Sequence, residues 1–344
     1  MVKVRRLYIA LFVLAVLAVG VTRALAQGPY EMPPADPPPY ANPVMTGDFP
    51  DPTAVRIGPE YWAITTRAKG HPSPPILRSP DLVRWTVAGN LNAAPPAWSS
   101  GRQQWGPWLD RNGDRYLVYY SARKKFGRPC VTVGESLNPL GPYTDHGPLV
   151  CQPNASIDPS VVRNVHGTPF LVWKENGGNS PSSLWVQQLS FDGLSLLGPR
   201  RKIMVGSRHN WEGGLIEGAR IVQRAGWYYL FYSGGRCCAP DTCKYALGVA
   251  RSKSIYGPWR RYKKNPILRS TRSWKCPGHG AVLQTPSGHW WLVYNGYRAR
   301  GQTNGREILL DLVRWKREGW PLIIPGSRPV SDPAPVSDSG GTTP

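Results

Sequence analysis

Residues 47–55 read GDFPDPTAV, in which a carboxylate, Asp51, stands between two prolines and a short apolar run follows. Proline fixes its own φ and restricts the residue before it, so the pattern predicts that Asp51 is held extended and that a strand begins just after it. A related phrase, DPSVV, returns at residues 158–162. We interpret Asp51 as a catalytic base, and the rest of the chain as a frame that places two more carboxyl groups opposite it.

A glycine turn followed by an aromatic-rich strand recurs five times along the chain. Successive turn glycines lie 55, 54, 59 and 62 positions apart, and the two strands around each turn are typical of a β-hairpin. A Ser-rich, Pro-turned connection such as residues 252–259 recurs after the hairpins, which predicts a fourth, outer strand. The turn glycines are Gly58, Gly113, Gly167, Gly226 and Gly288.

Five repeats of about four strands each predict an all-β fold, a five-bladed β-propeller over residues 44–326. A single blade cannot cover both faces of its sheet, and closing the ring solves that problem. A β-sandwich would not explain the even spacing of the repeats. Hydrophobic residues make up 41% of the chain and charged residues 18%, so the chain has enough apolar material for such a core.

The chain is strongly basic, with a formal net charge of +21. Residues 1–26 hold four basic residues and no acid, so their removal leaves +17 of that charge. Such a charge favours polyanionic partners, and we expect loose association with an anionic cell envelope. The arginines are scattered along the chain, which disfavours nucleic acid as a partner. We expect a monomer.

Residues 1–26 have the pattern of a secretory signal peptide. Residues 3–6 hold three basic side chains, residues 7–21 are apolar, and a small-x-small sequence ends at Ala26, where we expect cleavage. The apolar stretch is short for a membrane span, and an uncleaved anchor is the alternative. The pattern therefore predicts a secreted protein.

The two ends of the mature chain differ in composition from its centre. Residues 27–43 are Pro-rich, which predicts an N-terminal arm outside the propeller. Residues 327–344 are polar and rich in Pro and Gly, so we expect a disordered C-terminal tail.

Six cysteines fit an oxidising compartment, and three of them crowd into residues 237–243. One pairing that the sequence leaves open joins Cys130 to Cys151 and forms two bridges among the other four. A zinc site is another use of such a cluster, but its irregular spacing speaks against it. The six are Cys130, Cys151, Cys237, Cys238, Cys243 and Cys276.

The innermost strand of each propeller blade lines the central channel, so matching residues of different repeats face one cavity. Each such residue alone has an ordinary interpretation as a turn, surface or structural residue. Several acids within apolar strands would be costly to bury without a purpose, which indicates a functional site. The second repeat has an apolar wall, WGPW, at residues 105–108 instead. The matching residues in the first, third, fourth and fifth repeats are Asp51, Asp158, Glu217 and His279.

Carboxyl groups that face each other across a cavity are the apparatus of glycoside hydrolysis. One carboxyl must be protonated in order to give a proton to the departing oxygen. Another must be ionised, in order to deprotonate water or to attack. The like charge of a third acid, together with partial burial, would raise the pKa of the donor and keep it protonated near neutrality.

With these motifs, the chain resembles glycoside hydrolase family 43, the five-bladed propeller enzymes that act on arabinan, xylan and related furanosides and pyranosides. The resemblance runs across residues 42–325 and rests on the three acidic motifs and a specific closing pattern. The matching segments are PDP at 50–52, IDPS at 157–160, IEG at 216–218, PGHG at 277–280, NGREILL at 304–310, Trp315, and EGWP at 318–321.

The resemblance implies an inverting glycosidase for arabinofuranosyl, xylosyl or related furanosyl linkages of plant or cell-wall polysaccharide, with no required cofactor. Asp51 would be the general base, Glu217 the general acid, and Asp158 the residue that orients Glu217 and raises its pKa. Arg306 would face the substrate, and His279 would hold water or a water-mediated calcium ion near the axis. Inversion predicts carboxyls of Asp51 and Glu217 roughly 6.5–9.5 Å apart. Candidates for the walls of the sugar subsites are Trp62, Trp98, Trp105 and Trp108.

Three features depart from the family pattern. Residues 106–108 read GPW where relatives often have Ala-Pro-Asp, Glu318 stands where Asp is usual, and the loop with Cys237 and Cys238 is not a general family feature. These departures leave the chemistry in place and leave the sugar open.

Two other functions compete with this one. A non-catalytic carbohydrate-binding propeller is disfavoured because all three acids are present. A retaining enzyme of the sucrose-acting type would use Asp51 as nucleophile, with the carboxyls about 5–5.5 Å apart, and the chain lacks the Asn-Asp-Pro-Asn phrase of that type.

Overall fold

The computed structural model of the chain describes residues 39–67, 70–92, 95–301, 305–323 and 332–333. These residues form strands and turns and contain no helix, so they offer no candidate for a membrane-spanning helix. The predicted signal peptide, most of the predicted arm, one residue of the closing pattern and nearly all of the predicted tail lie outside the described residues. Those assignments stay predictions.

The described chain forms five antiparallel sheets, each made of four consecutive strands in sequence order. The innermost strands of neighbouring blades contact one another, and the innermost strand of the last blade contacts that of the first, which closes the ring. The prediction of a five-bladed β-propeller is therefore confirmed.

Blade one contains β2 (Thr53–Ile57), β3 (Glu60–Ile64), β4 (Pro75–Ser79) and β5 (Thr86–Asn90). Blade two contains β6 (Trp105–Asn112), β7 (Arg115–Arg123), β8 (Pro129–Ser136) and β9 (Thr144–Val150). Blade three contains β10 (Ser156–Arg163), β11 (Pro169–Glu175), β12 (Ser183–Leu189) and β13 (Leu196–Val205). Blade four contains β14 (Ile216–Arg224), β15 (Trp227–Gly234), β16 (Ala246–Ser252) and β17 (Arg260–Arg261). Blade five contains β18 (Trp274–Gln284), β19 (Trp290–Arg298), β20 (Glu307–Trp315) and β21 (Pro321–Ile323), and a two-stranded sheet pairs β1 (Pro39–Tyr40) with β22 (Asp332–Pro333).

The second strand of each blade, the aromatic-rich strand of the sequence pattern, is buried on both faces. The reason is that blades stack face to face, and five hydrophobic clusters each lie between two neighbouring blades. One of them joins Leu77 of blade one to Trp291 of blade five. Burying both faces of these sheets supplies the apolar contact that no single blade could make alone.

The N-terminal segment ties the end of the ring together. Val44 N–H donates to the Ile308 carbonyl at 3.0 Å, and the side chain of Asn42 donates to and accepts from the backbone of Leu310 at 2.9 Å. The Tyr40 hydroxyl also donates to the Leu310 carbonyl. Among the described residues, contact with the propeller is therefore already present at Tyr40, before the predicted boundary at residue 44.

Three disulfides occur in the described chain. Cys130 pairs with Cys151 and Cys243 with Cys276, while the neighbours Cys237 and Cys238 pair with each other. The pairing that the sequence left open is thus confirmed. No described cysteine is left free to bind zinc.

Candidate active site

Each blade has at least one residue with left-handed backbone near the start of its innermost strand, and blade five has a second, Cys276. Such a conformation is uncommon for residues other than glycine, and it concentrates at functional sites. The prediction that flanking prolines hold Asp51 extended is wrong, because the backbone turns there to donate its N–H to the neighbouring blade. The φ angles are 57° at Asp51, 51° at Gly106, 56° at Asp158, 58° at Gly218 and 44° at His279.

The N–H groups of four of these five residues donate to polar side chains of the preceding blade. Asp51 N–H donates to Asn295 Oδ1 at 2.6 Å, and Asp158 N–H donates to Ser121 Oγ at 3.1 Å. The left-handed residues of blades two and five form matching bonds of 2.8 Å. These bonds satisfy backbone donors that face the channel and bring the functional side chains to one end of it.

Glu217 stands one position before the left-handed residue of its blade. Sequence spacing had placed Glu217 level with Asp158, whereas the structure places Gly218 at that point. A Cβ at Gly218 would lie 3.0 Å from the ring of His279, so glycine leaves room for the imidazole. Glutamate, with one more methylene than aspartate, reaches the same cavity from the preceding position.

A cavity of about 400 Å³ lies where the innermost strands begin. Its lining brings together the three predicted acids, His279, Arg306 and, of the four candidate tryptophans, Trp105. Polar residues that were not predicted also line the cavity: Thr66, Lys174, Asn176, Tyr245, Asn295 and Tyr297.

Trp62, Trp98 and Trp108 do not line this cavity, which corrects their assignment as walls of the sugar subsites. Trp62 is buried in the core between blades one and two. Trp98 Nε1 donates to Asp145 Oδ2 at 2.8 Å. Trp108 covers a buried guanidinium, that of Arg220, at 4.9 Å from its ring centroid. Trp62 and Trp108 lie on strands, whose alternation turns their side chains away from the channel, and Trp98 lies in a turn.

Asp51 is held as a carboxylate. Arg306 Nη1 donates to its Oδ1 at 2.9 Å, Thr66 Oγ1 donates to its Oδ2 at 2.7 Å, and His279 Nδ1 lies 3.2 Å from Oδ1. Burial alone would raise the pKa of Asp51, but the charges of Arg306 and His279 and the Thr66 hydrogen bond outweigh it and leave the pKa lowered. An ionised Asp51 suits a base that must accept a proton.

Glu217 accepts hydrogen bonds from two residues that were not predicted from the sequence. Lys174 Nζ donates to its Oε2 at 2.5 Å, and the Tyr245 hydroxyl donates to its Oε1 at 2.7 Å. Burial raises the pKa of Glu217, yet the Lys174 ammonium dominates the opposing contributions and leaves the pKa lowered. The expected rise in the pKa of the donor is therefore not found on Glu217 in the free protein.

Asp158 carries the raised pKa instead. Burial is the largest cause, and the like charge of Glu217 adds to it against the opposing charges of His279 and Lys174, so the pKa of Asp158 rises to about 6. Ligand atoms of Asp158, Glu217 and His279 lie within 4.8 Å of one another. A Cβ at Gly106 would lie 2.6 Å from Asp158 Oδ1, which explains glycine at that point of blade two.

The raised pKa of Asp158 predicts that Asp158→Asn is more stable than the wild type above about pH 6. The pKa of Asp158 lies above its ordinary value of 3.8, so ionisation destabilises the fold progressively as the pH rises from that value through about 6. We expect the difference in free energy of unfolding, variant minus wild type, to be about 1–3 kcal/mol larger at about pH 8 than at about pH 4. Denaturant titrations under non-reducing conditions at both pH values measure this.

Asp51→Asn is the matched control, with the opposite sign. Because the pKa of Asp51 is lowered in the fold, its ionised form stabilises the protein above the ordinary pKa, and the stabilisation is lost as the pH falls. Asp51→Asn should therefore lose stability at the higher pH. Equal pH dependence of the two variants would contradict both assignments.

Comparison with known proteins places this chain in one family. The sequence model of glycosyl hydrolases family 43 matches residues 40–321, which is most of the chain. The chain belongs to glycosyl hydrolases family 43.

Relatives in family 43 align over most of this chain. "Xylosidase/arabinosidase 43B" of Humicola insolens is 28% identical and covers 85% of this chain and 56% of its own length. "Extracellular endo-alpha-(1->5)-L-arabinanase 1" of Bacillus subtilis (strain 168) is 25% identical and covers 79% of this chain and 86% of its own length. The crystal structure of a thermostable family-43 glycoside hydrolase superposes with a TM-score of 0.77 at 26% identity, over 88% of this chain and 100% of that one. This chain spans a little over half the length of the first curated relatives it matches.

The resemblance to family 43 implies a water-mediated calcium ion at His279, beside the buried cluster of Asp158, Glu217 and His279. Calcium prefers six to eight oxygen ligands, whereas the cluster offers two carboxylates and an imidazole. One of the carboxylates already pairs with the Lys174 ammonium at 2.5 Å, and this cation repels a second. These groups do not fit a directly bound calcium ion, and the water-mediated calcium ion stays a prediction. His279 Nε2 is buried and has no hydrogen-bond partner within the described chain, which suits a water or a substrate hydroxyl.

The family 43 motifs did not reveal Lys174 of the cavity or the buried Arg220 outside its lining, although a signal for both was present. Lys174 lies in the buried strand PFLVWKE, and Arg220 lies in IEGARIVQR. Both interrupt apolar runs, where an unpaired charge would be costly. Arg220 donates to the Ala219 carbonyl at 2.9 Å, and burial lowers its pKa to about 10 even though Asp158 opposes that shift. Lysine or arginine within a buried strand therefore predicts a nearby acid.

Proposed function

We propose that this chain is a secreted glycosidase that cleaves arabinofuranosyl or xylosyl linkages of plant or cell-wall polysaccharide with inversion. One observation carries the proposal: a single cavity holds Asp51, kept ionised by Arg306, together with the acid pair Asp158 and Glu217, which can hold a proton. A base and a proton donor in one cavity are what inverting hydrolysis requires.

In the proposed step, Asp51 accepts a proton from a water molecule, and the water oxygen forms a bond to the anomeric carbon. The bond from that carbon to the leaving oxygen breaks on the opposite face of the sugar, and its electron pair goes to the oxygen. Glu217 gives its proton to that oxygen. Asp51 ends protonated and Glu217 ionised. Asp51 then releases its proton to solvent, and the acid pair of Asp158 and Glu217 takes up one proton from solvent.

Glu217 receives its proton from Asp158 in this proposal. In the free protein the raised pKa lies on Asp158, while Lys174 holds Glu217 ionised. The two carboxyls are close enough for a proton to pass through one water. A leaving oxygen that enters beside Glu217 displaces the contact of Lys174, and the pKa of Glu217 then rises.

The substrate class rests on the relatives. Their names include xylosidase/arabinosidase, α-L-arabinofuranosidase and endo-α-(1->5)-L-arabinanase, so furanosyl and xylosyl linkages are the first to test. We also propose export through residues 1–26, a monomeric state, and loose association with an anionic envelope. The net charge of +21 supports the last of these.

Purified protein incubated with arabinan, xylan, galactan and nitrophenyl glycosides tests the activity. We expect release of arabinose or xylose, and proton NMR of the first product should show an anomeric configuration opposite to that of the substrate. Retention would point to a nucleophilic Asp51. Binding of these polymers without release of sugar would replace the enzyme with a carbohydrate-binding propeller.

A further inference from the structure

A second depression, which we call the acceptor groove, opens beside the catalytic cavity. It has a volume of about 680 Å³ and shares Lys174, Asn176 and Leu215 with the cavity. Lys174 is the partner of Glu217, and Leu215 precedes Glu217 by two residues. The groove therefore leads away from the proton donor, which is the side on which the leaving group must depart.

The groove is built for a charged ligand rather than a neutral sugar ring. Arg128 and Arg208 line it together with Asn154, Asn176 and Ser180. Its lining, all of it within the described residues, holds no carboxylate and no aromatic ring. A neutral pyranose needs an apolar platform for stacking, whereas guanidinium groups bind carboxylates through paired hydrogen bonds.

The loop that carries Arg128 strengthens the charge at this end of the molecule. Residues 123–128 read RKKFGR, with four cations and no acid, and Phe126 at the tip is 95% exposed. Lys124 N–H donates to the Arg128 carbonyl at 3.4 Å and closes the loop. The expectation that the basic residues are scattered along the chain therefore does not hold for residues 123–128.

These cations have no acidic partner of their own. In the described parts of the chain, no ion pair involves the four cations of residues 123–128 or Arg208. The acid nearest in sequence to Arg208 is Glu212, which is buried and paired with Arg261 at 2.8 Å. Arg208 donates to the neutral Asn179 carbonyl, so no acidic side chain of the described residues neutralises the charge of the groove by an ion pair.

We propose that the acceptor groove binds a carboxylate-bearing stretch of polysaccharide, a run that contains uronic acid, on the leaving-group side of the scissile bond. The proposal rests on the proposed function for the direction of the groove. The substrate is then an acidic polymer, and Arg128 and Arg208 select it by its charge.

Calorimetric titration of the full chain with tetragalacturonic acid, and with the neutral methyl ester of the same oligosaccharide, tests the charge requirement. The two ligands share length and shape and differ in carboxylates alone. We expect the acid to bind at least about tenfold more tightly than the ester, since charge-assisted hydrogen bonds are lost in the ester. Equal affinity for acid and ester would overturn the proposal.

The double variant Arg128→Gln with Arg208→Gln tests the site. We expect it to lose about tenfold or more in affinity for the acid while its thermal melting stays that of the wild type, because both side chains are exposed. Arg314→Gln with Lys264→Gln removes the same charge from exposed positions outside the groove and should change affinity by less than about twofold. An equal loss of affinity in both double variants would mean that net charge alone attracts the acid, and it would contradict the assignment of the groove as the binding site.

Two further ligands decide the class of polymer. A glycerol phosphate tetramer that binds as tightly as the uronic acid would overturn the carboxylate assignment in favour of phosphate. If single-stranded DNA bound with the same dependence on Arg128 and Arg208, the assignment of a polysaccharide as the ligand would be wrong. Binding is measured without turnover, so the two proposals fail separately. Binding of the uronic acid without release of sugar in the activity assay would refute the proposed function and support the acceptor groove. Release of sugar without binding of the uronic acid would support the proposed function and refute the acceptor groove.

Discussion

Glu217→Gln is expected to lower kcat on an arabino- or xylo-oligosaccharide by about 10²–10⁴-fold, because the alkoxide-like leaving group then departs without a proton. The amide keeps the size of the side chain; its one oxygen can accept from Lys174, while its NH2 can donate to the Tyr245 hydroxyl oxygen, so the fold should survive. Initial rates on the natural-type substrate measure the loss, and circular dichroism checks the fold.

The leaving group supplies the control for this variant. A dinitrophenyl glycoside departs without protonation, so Glu217→Gln should hydrolyse it within about tenfold of the wild-type rate. Equal losses on the two substrates would mean that Glu217 positions the sugar and is not the acid. Asp158 would then become the candidate donor, since its pKa is raised to about 6.

Asp51→Asn is expected to lower kcat by about 10²–10⁴-fold on both substrates alike, because the attacking water loses its base whatever the leaving group is. The loss should leave KM nearly unchanged, since the amide oxygen can still accept from Arg306 and the amide NH2 can donate to the Thr66 hydroxyl oxygen. Steady-state kinetics on the oligosaccharide and on the dinitrophenyl glycoside give both parameters.

Asp114→Asn is the matched control for this second variant. Asp114 lies in the exposed turn between β6 and β7, and its replacement should leave kcat within about twofold of the wild type. If Asp51→Asn retained wild-type turnover, Asp51 would not be the base. If it lost activity on the oligosaccharide alone, its role would be that of the acid.

The pH dependence of stability separates the two aspartates without any substrate. Asp51 is surrounded by Arg306, His279 and a hydroxyl donor, and its pKa is lowered, whereas Asp158 is buried beside Glu217 and its pKa is raised. The sequence made them look alike, as two Asp-Pro phrases. Their neighbours come from other blades, so only the folded ring could distinguish them.

Much of the architecture was predictable from the chain alone. Glycine turns at near-equal intervals, each followed by an aromatic strand, specify hairpins that cannot bury both faces unless they close into a ring. Asp51, Asp158 and Glu217 could be found as well, because polar residues that recur at one point of a repeat return to one place in space. The pairing of Cys130 with Cys151 was one of the open solutions, and the structure selected it.

The proton balance of the cavity was decided by tertiary structure only. Lys174 reaches Glu217 from the neighbouring blade, and Tyr245 reaches it across the fourth blade. Because of these contacts, the pKa of Glu217 is lowered, while burial raises that of Asp158. Trp62 and Trp108 lie outside the cavity because their side chains point to the other face of their strands. Arg128 and Arg208 likewise stand 80 positions apart in the chain and meet in one groove. The periodicity of the sequence determines which residues lie near the axis of the propeller. The pKa of a group depends on the atoms within a few ångströms of it, and those atoms belong to residues that are remote in the sequence.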